Sequence, residues 1–264
     1  AFKFRGACNA VFSLSDQQAI HGVCTHSSGN HAQALALAAR IRGIKAYIVM
    51  PENAPRVKVE AVKGYGGIIT FCEPTLEARE TTLLKVIQDT GAIEIHPYNN
   101  YYIISGQATS CMELLDEIQG LDIVVAPVGG GGLLSGTALA ANYFSPGTKV
   151  IAAEPLNAND AWQGFKQKKW IPQTNPQTIA DGLRTSLGMK NFEIIQKYVH
   201  DILTVDEPTI VKAMRLIWER MKIIVEPSSA VPLGAILSHP ETFKDKKTGI
   251  IISGGNIDLS QLPW

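Results

Sequence analysis

Several short stretches of this 264-residue chain hold residue types and spacings suited to chemistry. Residues 125–140 read VAPVGGGGLLSGTALA: an apolar run, four consecutive glycines, then an alanine- and leucine-rich helical stretch. A strand that ends in bare backbone and turns directly into a helix presents several N–H groups and the positive end of a dipole to one anion. Glycine suits such a turn because a side chain blocks close approach and because these loops often need φ > 0. A flexible linker is the bland alternative, but linkers carry Ser, Gly and charge rather than apolar flanks. The spacing matches neither GxxxxGK followed by Ser or Thr nor GxGxxG, which leaves a small phosphorylated ligand rather than a nucleotide. Lys3 sits between two aromatics in AFKFRG. Burial there disfavours the ammonium form and frees the amine as nucleophile or base, with an ordinary surface lysine on a frayed end as the alternative. Two more polar turns occur, SSGNH at 27–31 and SGGN at 253–256. Glu154 and Asp160, in EPLNAND, offer oxygen ligands to a hard cation, or else form a solvated loop.

The elements that must position these groups follow an alternating pattern. Strands are expected at 21–26, 45–50, 67–72, 93–97, 122–128, 150–155 and 249–255, and helices at 28–42, 56–63, 77–89, 105–118, 208–222 and 229–237. Continuous apolar strands alternating with helices predict parallel sheets covered on both faces. Ligands of such sheets bind beyond the carboxyl ends of the strands, and the three polar turns fall there. With 45% hydrophobic and 18% charged residues the chain can build a large core in one or two domains. Its 24 basic and 24 acidic residues cancel; no basic block marks a nucleic-acid or anionic-membrane surface, so a small partner suits it. Two prolines and six glycines interrupt the charge-free stretch 123–148, which favours a buried strand–loop–helix over a membrane span. Cys8, Cys24, Cys72 and Cys111 show no metal spacing and are expected to be free thiols in a reducing compartment.

A lysine, a phosphate-binding turn and polar glycine-rich turns are together the parts that pyridoxal 5'-phosphate requires. Beyond these parts, the chain resembles the serine racemase and serine/threonine dehydratase group of fold-type II pyridoxal-phosphate enzymes. The matching segments are AFKFRGA (1–7), THSSGNHAQALALAA (25–39), AYIVMPENAP (46–55), VAPVGGGGLLSG (125–136), AAEP (152–155), IADGLRTSLG (179–188), VEPSSA (225–230) and SGGNIDL (253–259). They follow the group's order across nearly the whole chain.

The resemblance implies an α/β fold like that of the tryptophan synthase β chain, with two parallel-sheet domains carrying helices on both faces. Residues 1–21 and 101–264 would form a large cofactor-binding domain, and 22–100 a small mobile one. It further implies that Lys3 bonds covalently to the cofactor and that Gly129, Gly130, Gly131 and Gly132 hold its phosphate. Ser253 would lie at the pyridine nitrogen and Asn30 at the phenolic oxygen. Ser27, Ser28, Asn30 and His31 would grip the substrate carboxylate at a helix N-terminus; the bland reading of SSGNH is a helix cap. Glu154, Asp160 and the backbone carbonyl of Ala158 would hold Mg2+ or Ca2+. His21, His26, His96, His200 and His239 show no ligand spacing and are treated as structural.

The implied activity is the interconversion of L- and D-serine, with Lys3 and Ser28 serving opposite faces of the substrate Cα, and β-elimination of serine to pyruvate and ammonia as a second activity. A dedicated serine/threonine ammonia-lyase is the alternative; Ser28 favours the racemase. An inactive truncated homologue is a second alternative. The expected partners are a small amino acid (serine or threonine) and a second copy of the chain in a cytoplasmic homodimer, with no nucleic acid and no membrane. Where the group usually reads HPYDxxxVIAGQGT, this chain has HPYNNYYIISGQATS at 96–110. Ala108 replaces a glycine, and Tyr101 and Tyr102 add bulk near the expected hinge. The group also carries a helix and a strand ahead of the lysine, so an N-terminal segment is expected to be missing.

Overall fold

The computed structural model describes residues 1–264. It divides into two compact units, one of Lys3–Gly106 and one of Ala1–Phe2 with Gln107–Trp264. The Lys3–Gly106 unit contains α1 (Lys3–Phe12), α2 (Asp16–Ala19), β1 (Val23–His26), α3 (Asn30–Arg42), β2 (Ala46–Pro51), α4 (Arg56–Gly64), β3 (Ile68–Cys72), α5 (Leu76–Thr90), β4 (Ile93–Glu94) and the start of α6 (Tyr101–Glu117). Its four strands are parallel in the order β3-β2-β1-β4. Successive residues of β1 point to opposite faces. Val23 packs with Leu35, Ile48 and Val62 on one side, and Cys24 with Val49, Leu83 and Val86 on the other.

The alanines of α3 let α1 lie close, so Ala7, Ala10 and Val11 enter the same core. Arg42, in the last turn of α3, donates to the carbonyls of Val11 and Leu14. This packing is why residues 3–21 group with the β1 sheet, whereas the division expected above places them with the other domain and breaks the chain at 100/101. Helix α1 itself was not expected, because Gly6 and Asn9 interrupt its short apolar pattern.

The second unit holds the rest of α6, β5 (Ile123–Pro127), α7 (Gly132–Phe144), β6 (Lys149–Pro155), α8 (Asp160–Gln167), α9 (Met189–Tyr198), β7 (Asp201–Val205), α10 (Glu207–Met221), α11 (Pro227–Ser238), α12 (Pro240–Phe243) and β8 (Thr248–Ile250). Its strands are also parallel, in the order β7-β6-β5-β8. Every residue of β5 is buried. Val124 and Ala126 pack with Leu134, Ala138 and Ile195; Ile123 and Val125 pack with Ile210, Val231 and Ala235. These two apolar layers confirm a sheet covered on both faces. The run GIIISGG, expected as one strand, pairs only over 248–250; beyond Ile251 a side chain holds the turn, as described below. All four cysteines are free, and no helix is long and apolar enough to cross a membrane.

Candidate active site

In the Lys3–Gly106 unit the chemistry gathers around the start of α3. The Ser27 N–H donates to the Val49 carbonyl at 3.0 Å, extending the end of β1. Ser27 Oγ accepts the Gly29 N–H at 3.3 Å. The cap position itself falls to Gly29, and no side chain caps α3. The capping reading of SSGNH is therefore corrected: the serine hydroxyls do not satisfy the helix. A half-buried turn at an uncapped helix N-terminus suits a carboxylate.

His31 is buried, and its Nε2–H donates to the Ile95 carbonyl at 2.9 Å. Burial, reinforced by the nearby Lys3 charge, pushes its imidazole down to about 3, so it is neutral. Lys3 opens α1, and its Nζ donates to the Pro97 carbonyl at 2.9 Å, 5.8 Å from the Tyr98 ring centroid. His96 Nδ1 accepts the N–H groups of Tyr98 at 3.2 Å and Asn99 at 2.9 Å. Arg79, on α5, lies close enough to His26 and Cys72 for its charge to be felt, and its Nε is buried without a partner.

In the second unit the turn between β5 and α7 is entirely buried. The Gly130 carbonyl accepts the Gly188 N–H at 3.1 Å and the Asn191 side-chain amide at 2.8 Å. The N–H groups of residues 129–132 donate to no acceptor in the chain. Buried N–H groups need a partner, and α7 adds its dipole to theirs. This donor set fits the phosphate of pyridoxal phosphate. The glycines are demanded by the chain as much as by a ligand. A Cβ at Gly129 would lie 2.8 Å from Leu183 Cα, and one at Gly131, where φ is +92°, 2.5 Å from Leu187 Cδ1. Ser253 is buried; its N–H donates to Ser229 Oγ at 2.8 Å and its carbonyl accepts the Phe2 N–H at 2.9 Å. Ser228 Oγ, one residue earlier, accepts the Gly182 N–H at 3.0 Å. The glycine turn, residues 182–188, the Ser228–Ser229 pair and Ser253 thus form one connected support.

Glu154 and Asp160 are both buried. Glu154 accepts from the N–H groups of Ala161 at 3.0 Å and Trp162 at 2.7 Å. Asp160 accepts the Leu187 N–H at 3.0 Å and the Gln173 amide at 3.2 Å. Burial and the charge of Asp160 hold the Glu154 carboxyl well above the usual range, and burial pushes Asp160 up to about 6. Two neighbouring carboxyls whose charged forms are disfavoured in this way suit a cation. Ala158 is buried in the 3-10 turn Leu156–Ala158 between them. No group of three or more His, Cys, Asp and Glu side chains gathers in the structure, so a cation here would rest on two carboxylates and backbone oxygen.

A model of the pyridoxal-phosphate-dependent enzyme family matches residues 1–254. The chain belongs to that family. Among its relatives, a β-hydroxyaspartate dehydratase of Paracoccus denitrificans is 50% identical over 100% of this chain and 84% of its own length. A serine racemase of Arabidopsis thaliana is 51% identical over 99% of this chain and 81% of its own. The crystal structure of serine racemase from Dictyostelium discoideum superposes with a TM-score of 0.94 at 49% identity, covering 98% of this chain and 84% of that one.

Sequence reasoning missed Ser229, although it lies in the quoted VEPSSA, because a hydroxyl that accepts from backbone N–H groups leaves no spacing signature. It also missed Pro97, because residue type gives no sign that its carbonyl accepts from Lys3. Tyr98 stood inside HPYNNYY but carried no signal apart from its place after His96.

Proposed function

We propose that this pyridoxal-phosphate enzyme interconverts L- and D-serine and, as a second reaction, eliminates the β-hydroxyl of serine to give pyruvate and ammonia. The carrying observation is that Lys3 and the uncapped Ser27–His31 turn are organised around one helix start, alongside about 50% identity to a serine racemase. Bound pyridoxal phosphate supplies the electron sink that acidifies the substrate Cα–H. In this reading Lys3 carries the covalent link to the cofactor, and Gly129, Gly130, Gly131 and Gly132 hold its phosphate. Ser253 serves the pyridine nitrogen and Asn30 the phenolic oxygen. The turn of Ser27, Ser28, Asn30 and His31 binds the substrate carboxylate. The Lys3 amine moves the Cα proton on one face and the Ser28 hydroxyl on the other.

Glu154, Asp160 and the Ala158 carbonyl would hold Mg2+ or Ca2+. By way of Leu187, whose N–H bonds to Asp160 and whose side chain abuts Gly131, that ion would brace the glycine turn. The family resemblance supports a homodimer and, with the free cysteines, a cytoplasmic setting.

The test is incubation of purified protein with pyridoxal phosphate and L-serine, followed by chiral chromatography and a coupled pyruvate assay. D-serine and pyruvate together are expected. Pyruvate without D-serine would assign the chain to the ammonia-lyases, and neither product would indicate an inactive homologue. A second reading is dehydration of a β-hydroxy amino acid bearing a second carboxylate. It is favoured by the buried, unpartnered Nε of Arg79 and by the hydroxyaspartate relative. Offering 3-hydroxyaspartate against serine in the same assay separates the two.

A further inference from the structure

We propose that Asn191 is the positioning residue of the glycine turn: its side-chain amide holds the Gly130 carbonyl back so that the Gly131 N–H faces the cofactor's phosphate. The proposal rests on the assignment of residues 129–132 to that phosphate and deepens it. Asn191 stands in the first turn of α9 and is fully buried. Leu187 and Ile195, on either side of it in sequence, belong to the same apolar core as Leu134 of α7. A buried amide costs stability unless it finds a partner, and an apolar residue of the same size would pack here without that demand. Asn191 meets it with one bond into the turn: its Nδ2–H donates to the Gly130 carbonyl at 2.8 Å.

The bond matters through what it does to one peptide plane. The Gly130 carbonyl also accepts the Gly188 N–H, at 3.1 Å. A carbonyl oxygen has two lone pairs, and these two donors, both at the start of α9, take them. No peptide bond in the chain is cis, and in a planar trans peptide the N–H points opposite to the carbonyl. With the carbonyl turned towards α9, the Gly131 N–H is turned away from it and meets no acceptor of the chain. An anion at the head of α7 would take it there. Packing closes the arrangement. A Cβ at Gly131 would lie 2.7 Å from Asn191 Cβ, so the side chain also backs onto the residue whose N–H it aims. Glycines on both sides leave this peptide free to swing unless something holds it. Gly188 supplies its donor from backbone, as any residue but proline could; the second donor depends on the residue type at 191.

The experiment compares two ligands of the full chain freed of cofactor: pyridoxal phosphate, and pyridoxal, which has the same aldehyde and ring but no phosphate. Each is titrated by absorbance and fluorescence. Asn191→Leu removes the donor at nearly constant volume. It should weaken pyridoxal phosphate about tenfold, the scale of one lost hydrogen bond, and pyridoxal by less than about twofold. Ile195→Val, one turn along the same helix, should lower stability in urea and leave the ratio of the two affinities as in the parent. Equal weakening of both ligands in the Leu variant would make Asn191 a packing residue and overturn the proposal. An unchanged affinity for pyridoxal phosphate overturns it too, as does a ratio that also falls in Ile195→Val. Should the Leu variant not fold, Asn191→Ala is read by the same ratio and the same outcomes. A parent that binds both ligands alike removes the phosphate from the glycine turn, and the proposal falls with the assignment it rests on. A parent that prefers pyridoxal phosphate, beside a variant that keeps the preference in full, overturns the proposal alone.

Discussion

The two sheets share one strand order. Counting from the first strand of each unit, both run third, second, first, fourth: β3-β2-β1-β4 and β7-β6-β5-β8. In each, the chain reverses its direction of growth beside the first strand, the place where open parallel sheets bind ligands. The turn that follows that strand is 27–31 in one unit and 128–132 in the other. The topology is common, but the construction of the turns is not. At 128–132 four glycines leave bare backbone, and they are locked by neighbours: Gly131 holds φ +92° against Leu187 and Asn191. At 27–31 hydroxyl and amide side chains are presented, and Gly29 has φ −128° with open space, nothing within 4 Å, where a Cβ would stand. A tightly built backbone cup suits a group that stays bound; a looser turn with side chains suits a carboxylate that comes and goes.

Substitutions can break this contrast, and the largest effect is expected at Gly131. Gly131→Ala adds a left-handed backbone penalty of about 1–2 kcal/mol to an overpacking cost of about 1–3 kcal/mol. Denaturant unfolding should show a loss of about 2–5 kcal/mol, together with poor retention of pyridoxal phosphate. A stable variant that keeps its cofactor would show the cup to be adaptable.

The next effect comes from His31, which closes the other turn. Its folded-state value of about 3 lies below the unfolded value of 6.5. The stability it contributes is therefore present above pH 6.5 and is lost as pH falls towards 3. Between pH 6.5 and 4 that is about 3 kcal/mol. His31→Asn should flatten this acid slope in urea titrations at several pH values, whatever it does to stability at pH 7. An unchanged slope would put the acid sensitivity elsewhere.

Ser28→Ala sharpens the functional side of the comparison. Racemisation should fall about 10²-fold or more, the scale of a missing acid–base group, while pyruvate formation from L-serine survives. Equal losses in both reactions would reduce Ser28 to a carboxylate contact. The smallest effect belongs to Gly29→Ala, expected to change stability by no more than about 0.5–1 kcal/mol. A large loss there would mean that both turns need glycine and that the contrast is false.

Much of this was legible in the chain because apolar strands and glycine turns are local patterns. β1, β2, β3, β5 and β6 lie within a residue or two of their expected places, as do α3, α4 and α5. The missed elements have weak local patterns. β7 is a five-residue strand, only half of it buried, and α9 is a short helix with two fully buried residues, Asn191 and Ile195. Candidate site residues can be named from sequence where a side-chain type would carry the chemistry, as with Lys3, Asp160 and the glycines. Those acting through backbone or as acceptors, Pro97 and Ser229, are fixed by tertiary packing that no spacing encodes. Packing also explains why residues 3–21 group with β1: a helix with alanines at 7 and 10 lies against the alanines of α3, and that match is visible only once both are built.

The position of β8 has a further consequence for how the molecule is made. β5 is completed on one side by β6 soon after synthesis, but its other neighbour, β8, arrives only after the chain has run from Pro127 to Thr248. Until then a fully apolar strand shows one row of unpaired N–H and C=O groups. Non-local parallel pairing is slow, and nascent chains with open edges are prone to associate. The yield of this protein in a cell should thus depend on how long that edge waits, and therefore on chaperone supply and on the pace of translation over residues 206–250.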